Sequence, residues 1–330
     1  MEQSFFTGPF ASMCELYVSQ KRATGSKYET GARRLRQFDD FAKKYNIQNY
    51  QITSDLVNDY CKQKSTENAN SRRDRIYIMW TFAEFLAAQG YPCSCLPPDK
   101  PKPVAAHTPY IFSMEEMSDI FRQLDSMPAT NFTTRHIMFP ILFRILYGCG
   151  LRISEALMLK KEDIDIEKGI IYVQHGKGDK ERIVVMSDSL CHKCAEFVKI
   201  AYGETDESVP FLYTKSFSKL STSSVNYGFR EILWDIGIPY YGKDVGPRVH
   251  DLRHTFICHN IRKWAEAGIP IHSKLPVLAK YVGHSTINAT QWYIRLTAES
   301  FPYIRQVCEQ ELGGIYDNIE FNKEECNEPD

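Results

Sequence analysis

Apolar positions in the first third of the chain recur every three or four residues, the spacing of helices that bury one face. Phe10, Met13 and Tyr17 mark one helix over residues 10–21. Leu35, Phe38 and Phe41 mark a second over residues 28–45, with Arg33, Arg34 and Arg36 around its other side. Thr53 or Ser54 is placed to cap a third, running through Leu56, Val57 and Tyr60. The pattern predicts a fourth from Ser71 through Ile76, Trp80, Phe82 and Phe85 to a stop at Gly90, and its first turn, Ser71-Arg72-Arg73-Asp74-Arg75, is basic. The periodicity then breaks at Pro97-Pro98-Asp99-Lys100-Pro101-Lys102-Pro103, a stiff stretch that reads as a linker.

Beyond the linker, helix and strand signals mix. Ser113-Met114-Glu115-Glu116 has the capping-box pattern that opens a helix. Residues 134–147 read as another, kinked at Pro140, and the Gly148/Gly150 turn after it delivers Arg152 to the start of a short helix. Two β-branched runs, residues 169–174 and 181–186, flank His175-Gly176-Lys177-Gly178-Asp179-Lys180, which predicts a hairpin with Lys177 at its tip. Phe211-Leu212-Tyr213 is expected as a third short strand. Helices follow over residues 221–236, 249–267 and 273–282, each closed by a glycine, and over 288–296. A last amphipathic helix carries Phe301, Ile304, Cys308 and Leu312. The expected fold is mainly α with a small β-sheet. It divides into a helical domain over residues 1–96, a linker over 97–110, a mixed α+β domain over 111–312 and an acidic tail over 313–330.

Composition narrows the classes. A length of 330 residues with 43% apolar content suits two globular domains. No apolar run approaches the roughly 18 residues of a membrane span, and Met1-Glu2-Gln3-Ser4 does not begin a secretory signal. Ten cysteines without such a signal are expected to be reduced thiols in a cytoplasmic protein. Cys191-His192-Lys193-Cys194 is a lone CxxC, and zinc would need a second pair. The net charge of −1 hides an asymmetry, because residues 309–330 alone hold eight acids and one lysine. The remainder is therefore basic, and through Ala106 there are 15 Lys and Arg against 11 Asp and Glu. Positive charge concentrated in this way suits a polyanion. The tail is either a solvated end or a partner-binding segment.

Six residues then stand out as chemistry. His250 and Arg253 share a helix face. Arg152 follows a Gly-x-Gly turn, with an ion pair to Glu155 as its structural alternative. Lys177 lies between glycines, and Lys180 is its rival. His284 follows Gly283, and Tyr293 comes nine residues later. Any one of these is weak, since a solvated or structural role suits each. As a set they could execute phosphodiester displacement. Arg152 and Arg253 would grip the non-bridging oxygens through planar, paired donors. Tyr293 would attack phosphorus, Lys177 would protonate the leaving alkoxide, His250 would take the phenolic proton or orient the phosphate, and His284 would donate another hydrogen bond. No metal or other cofactor is needed for such a clamp.

In type, order and spacing these motifs resemble the tyrosine recombinase (phage integrase) family. The similarity runs through Gly150-Leu151-Arg152-Ile153-Ser154-Glu155, Gly176-Lys177-Gly178-Asp179-Lys180-Glu181-Arg182, His250-Asp251-Leu252-Arg253-His254-Thr255-Phe256, and Leu278 to Tyr293. It implies catalysis by Arg152, Lys177, His250, Arg253 and His284 with Tyr293 as nucleophile, and a supporting role for Glu155. It implies an N-terminal core-binding domain, which resembles the family's only in length and character, closing with the catalytic domain as a clamp around DNA. In that setting Arg33, Arg34, Arg72, Arg73 and Arg75 are expected to contact the DNA backbone. It further implies double-stranded DNA with paired sites as partner, a homotetramer, a Holliday junction, an accessory DNA-bending or directionality protein, a nucleoid-associated location in the cytoplasm, and no ATP, metal or membrane. The final amphipathic helix would dock on a neighbouring subunit or on its own domain. The 31 residues from Arg253 to His284 exceed the family pattern, and the excess is expected to lengthen the loop at Gly268-Ile269-Pro270-Ile271-His272. This spacing resembles recombinases of transposons and other mobile elements. Two rivals stay open: a non-catalytic DNA-binding protein of the same fold, and a type IB topoisomerase.

Overall fold

The computed structural model describes residues 5–25, 27–65, 67–91, 108–174, 181–202, 209–240, 242, 246–284, 286–296 and 309. The chain divides into two compact units, Met1–His107 and Thr108–Asp330, and the division falls within the expected linker.

Four helices form the first unit: α1 (Ala11–Ala23), α2 (Glu29–Ala42), α3 (Ser54–Cys61) and α4 (Ala69–Ala88). Their apolar stripes meet in a core of Phe10, Leu35, Phe38, Leu56, Tyr60, Met79 and Phe82. Phe10 stacks on Phe38 and meets Phe82 edge-on, an arrangement aromatic quadrupoles favour. Asp39 is fully buried, and its carboxylate accepts hydrogen bonds from the Gly8 and Phe10 amides at 2.7 and 2.8 Å, so the buried charge is satisfied where α1 begins. Thr53 caps α3 as expected. Helix α4 starts two residues before Ser71, because the Asn68 side chain accepts from the Ser71 amide and fixes the first turn there.

The second unit holds α5 (Met114–Asp125), α6 (Arg135–Gly148), α7 (Ile153–Ala156), β1 (Ile164–Asp165), β2 (Ile170–Val173), β3 (Arg182–Val185), α8 (Asp188–Ala201), α9 (Thr222–Asp235), α10 (Asp251–Glu266), α11 (Ile271–Val282) and α12 (Asn288–Gln291), which passes into a 3-10 turn over Trp292–Leu296. The Ser113/Glu116 capping box opens α5 with both reciprocal bonds formed. Helix α6 is the central element, burying Met138, Phe139, Ile141, Leu142, Phe143, Ile145 and Leu146. It continues through Pro140, whose carbonyl accepts from Arg144.

The sheet has order β1-β2-β3, all antiparallel, with Ile171 opposite Val184 and Val173 opposite Arg182. The hairpin is as expected, but its tip, residues 175–180 with Lys177 and Lys180, lies outside the described residues. The third strand differs from expectation. It is β1, ahead of the hairpin, whereas Phe211-Leu212-Tyr213 is buried and only its neighbourhood forms single bridges, Lys160 to Pro210 and Tyr213 to Lys219. The apolar triplet reads like a strand because it fills the core, yet its pairing stops at single bridges and it does not join the β1-β2-β3 sheet. One more difference concerns a helix end. Ile271 and His272 belong to α11, so the link between α10 and α11 is only Ala267 to Pro270 rather than a lengthened loop. The CxxC sits on α8, where Cys194 is a fully buried core residue whose thiol burial pushes up to about 12. The expected helix at Phe301 to Leu312 falls outside the described residues apart from Glu309. No helix of the described residues is long and apolar enough to cross a membrane.

Candidate active site

The C-terminal end of α11 organises the site. The last carbonyls of a helix lack intrahelical donors and carry the negative end of its dipole. Three consecutive carbonyls there each accept from a different arginine. Arg182 Nε donates to Tyr281 O at 2.9 Å, an Arg253 terminal nitrogen to Val282 O at 2.5 Å, and an Arg152 terminal nitrogen to Gly283 O at 3.0 Å. Gly283 closes the helix in the left-handed conformation, with φ 71°. A Cβ at that position would stand 3.1 Å from the Arg182 guanidinium, so glycine also leaves room for the arginines.

Each arginine arrives by a different route. Arg152 precedes α7 as its N-cap, and Glu155 at the third helical position bonds back to the Arg152 amide at 2.9 Å and to its guanidinium at 2.7 Å. The ion pair read from sequence as the structural alternative is therefore present, and it leaves Arg152 partly exposed beside the helix end. Arg253, in the first turn of α10, is only 1% exposed and donates a second bond to Gly150 O at 2.7 Å. Gly150 has φ 59°, and a Cβ there would meet the Phe256 ring at 2.5 Å. Burial and the charge of Arg152 lower Arg253 to about 9, which keeps it cationic at neutral pH. Arg182, at the end of the motif that holds Lys177, is a further member of the site. It donates to both oxygens of Glu155, at 3.0 and 2.8 Å. Its signal was the strand period: Arg182 shares the inward face of β3 with buried Val184, and an inward arginine needs an anionic partner.

Glu155 is thus a buried carboxylate with four donors. Burial alone would raise its pKa, but Arg182 and Arg152 outweigh that and hold it down to about 2.

The histidines and the tyrosine close the other side. His284 follows Gly283, and its Nδ1 is 2.8 Å from Thr290 Oγ1. The Tyr293 ring lies nearly parallel to it, with centroids 6.1 Å apart. His250 caps the start of α10 and opens to solvent. Partial desolvation and the nearby charges of Arg253 and Arg152 push His250 and His284 each down to about 4, so both are neutral at pH 7. Tyr293 is 4% exposed, and burial raises its phenol to about 12 against the opposing pull of Arg253. Its hydroxyl is 2.6 Å from Nδ1 of His254, the residue after Arg253 in the same motif. The spacing of His254 four residues after His250 was its signal, and the two rings meet edge-to-face at 4.8 Å.

The structure brings Arg152, Glu155, His250, Arg253, His284 and Tyr293 together around the end of α11. Lys177 falls outside the described residues, but β3, which follows it in the chain, begins with Arg182, which is fastened to this same cluster. Among the described residues no group of three or more His, Cys, Asp or Glu side chains could hold a metal ion.

The five arginines expected to contact DNA separate clearly within the first unit. Arg33 is exposed, and Arg34 pairs with Asp74 at 2.8 Å. Arg73 lies 3.5 Å from Asp74, and Arg72 donates twice to Cys61 O, closing the end of α3. Arg75 differs from the other four and is taken up by an internal ion pair. It is 5% exposed, grips both oxygens of Glu67 at 2.8 and 2.6 Å, donates to Lys62 O, and lies over the Tyr60 ring. The basic sequence of this turn concealed an internal ion pair, because Glu67 lies outside the helix that carries the run.

The chain is similar to several known proteins. Residues 112–300, more than half of the chain, match the model of the phage integrase family. The integrase/recombinase y4rB of Sinorhizobium fredii is 27% identical over 294 residues, which cover 86% of this chain and 92% of that protein. The tyrosine recombinase XerA of Thermococcus kodakarensis is 31% identical over 202 residues, 61% of this chain and 63% of its own length. Among solved structures, the Tn1549 transposon integrase in complex with circular intermediate DNA superimposes with a TM-score of 0.58 at 17% identity, covering 85% of this chain and 94% of that one, which shows a shared fold.

Proposed function

Because the chain belongs to the phage integrase family, the tyrosine recombinases, we propose that it is a site-specific DNA recombinase that cuts and rejoins double-stranded DNA through a 3′-phosphotyrosine on Tyr293. The observation that carries this reading is the gathering of Arg152, Arg253, His284 and Tyr293 at one helix end. Arg152 and Arg253 supply the cationic donors that a phosphodiester needs as charge builds on its non-bridging oxygens. Their bonds to main-chain carbonyls hold the two guanidiniums beside each other at the helix end before the phosphate arrives. Neutral His250 and His284 can donate a hydrogen bond without adding net charge. Glu155 is a positioning residue that holds Arg152 and Arg182. Lys177, which precedes β3 in the chain, is the proton donor to the departing 5′ oxygen.

In the free chain the clamp is closed, with Arg253 and Tyr293 both buried, so DNA binding has to uncover the phenol. The reaction stores bond energy in the phosphotyrosine and therefore needs no ATP, and the Arg152 and Arg253 guanidiniums supply the charge stabilisation for which a metal would otherwise serve. The proposed setting is a mobile element, in keeping with the transposon integrase solved on circular intermediate DNA, and the proposal includes a homotetramer on paired sites and a Holliday junction, which the family resemblance implies. Arg33, Arg34, Arg72 and Arg73 are the backbone contacts proposed for the N-terminal unit.

Covalent trapping tests the reading. The full chain is mixed in EDTA with DNA fragments flanking its own gene, quenched in SDS, and the attached DNA is sequenced. Attachment at one short paired sequence, lost in Tyr293→Phe although that variant still binds the fragments, is the expected result. Attachment spread over many sequences would favour a topoisomerase. Binding without attachment would favour a non-catalytic protein of this fold.

A further inference from the structure

Cleavage by a tyrosine requires that the phenolic proton go somewhere. Burial keeps the Tyr293 phenol protonated at neutral pH, so attack at phosphorus must be coupled to a base. The imidazole nitrogen at hydrogen-bond distance from that oxygen belongs to His254, at 2.6 Å. His284 lies against the flat face of the phenol, with Nδ1 directed to Thr290. His250 opens to solvent one helical turn before His254.

We propose that His254 is the catalytic base for Tyr293, leaving His250 to hold the phosphate. The assignment rests on the reading of Tyr293 as nucleophile and deepens it. The Tyr293 O–H bond breaks as an N–H bond forms at Nδ1 of His254, whose other nitrogen carries the hydrogen of the neutral ring. The phenolic oxygen bonds to phosphorus, the bond from phosphorus to the 5′ oxygen breaks, and that oxygen takes its proton from Lys177. Religation reverses each step, and His254 returns its proton to the phenol.

The groups around the phenol and imidazole are His250 at the start of α10, Asp251, Arg253 and Cys258 on α10, His284 after α11 and Arg152 before α7. Burial is the main influence on the phenol and keeps its proton on oxygen; Arg253 and Arg152 draw its pKa down and Asp251 raises it. His254 is the partner in hydrogen-bond reach of that proton. His250 stays neutral beside it, which avoids two adjacent imidazolium ions.

The test measures single-turnover adduct formation, as a function of pH, by the full chain, His254→Phe and His254→Gln on the flanking DNA fragments. The variants are expected to bind the fragments as the parent does. Their adduct formation at pH 7 should be slower by about 10²–10⁴-fold, the usual range for a lost general base. Their rates should climb about tenfold per pH unit as hydroxide replaces the base, and added imidazole should restore part of the loss to His254→Phe. Rates within threefold of the parent would overturn the proposal. So would slower rates that keep the parent's pH profile and do not respond to imidazole, because a merely structural histidine would behave that way. An adduct formed by Tyr293→Phe, or none formed by the parent on DNA it binds, would instead overturn the nucleophile assignment and the role of His254 with it.

Discussion

Replacing Arg182 by methionine isolates the contribution of the buried ion cluster. Methionine keeps much of the aliphatic packing but removes both bonds from Arg182 to Glu155 and the bond to Tyr281 O. Glu155 then remains buried, with Arg152 as its one guanidinium partner. Two routes give the size of the effect. Deleting one partner of a buried ion pair costs about 3–5 kcal/mol. Separately, holding Glu155 at about 2 against an ordinary 4.5 corresponds to about 3 kcal/mol of pH-dependent stability, at 1.36 kcal/mol per pH unit. Because the folded pKa lies below the unfolded one, that stability is fully present above about pH 4.5 and is lost as pH falls toward 2. Urea unfolding at pH 7 should therefore show Arg182→Met less stable by about 3 kcal/mol with an unchanged slope. The parent should lose more stability than the variant between pH 5 and pH 3. An equal urea midpoint at pH 7, or parallel losses on acidification, would refute the claim that Arg182 and Glu155 form an energetically significant pair.

Other outcomes follow from the same geometry. The low pKa values of His250 and His284, both about 4, mean that the unfolded chain takes up protons first on acidification. Stability should thus fall as pH drops from about 6.5 to 4, checked by urea midpoints across that range, and solvent at His250 reduces its share. Arg75→Ala strands the Glu67 carboxylate, so it should lower the stability of the first unit by about 3 kcal/mol while leaving the salt dependence of DNA binding unchanged. Gly150→Ala should destabilise by at least about 1–2 kcal/mol from its left-handed conformation alone, with the Phe256 clash added, as a thermal melt would show. Adduct formation should be undiminished in EDTA, and a requirement for a divalent ion would contradict the proposed clamp.

The sequence alone determined the helical periods, the hairpin, the capping box at Ser113, and the residue types of a phosphate clamp. These are local properties: side-chain spacing within one element is fixed by backbone geometry, and the clamp motifs are short and contiguous. It could not separate Arg75 from its basic neighbours, nor find the edge strand β1, nor show why Phe211-Leu212-Tyr213 is buried without being a strand. Those outcomes depend on which segment arrives opposite, and Glu67, β2 and the α8 core are not encoded at the positions they partner. Tertiary structure also decided the arrangement of the site. The unpaired carbonyls of Tyr281, Val282 and Gly283 exist in any helix that ends there, but only folding brings Arg182 from the sheet, Arg253 from α10 and Arg152 from the turn after α6 to meet them. His254 likewise became chemically significant only when the turn carrying Tyr293 packed against α10. A helix end collects donors from wherever the chain can deliver them, and that delivery is a property of the whole fold.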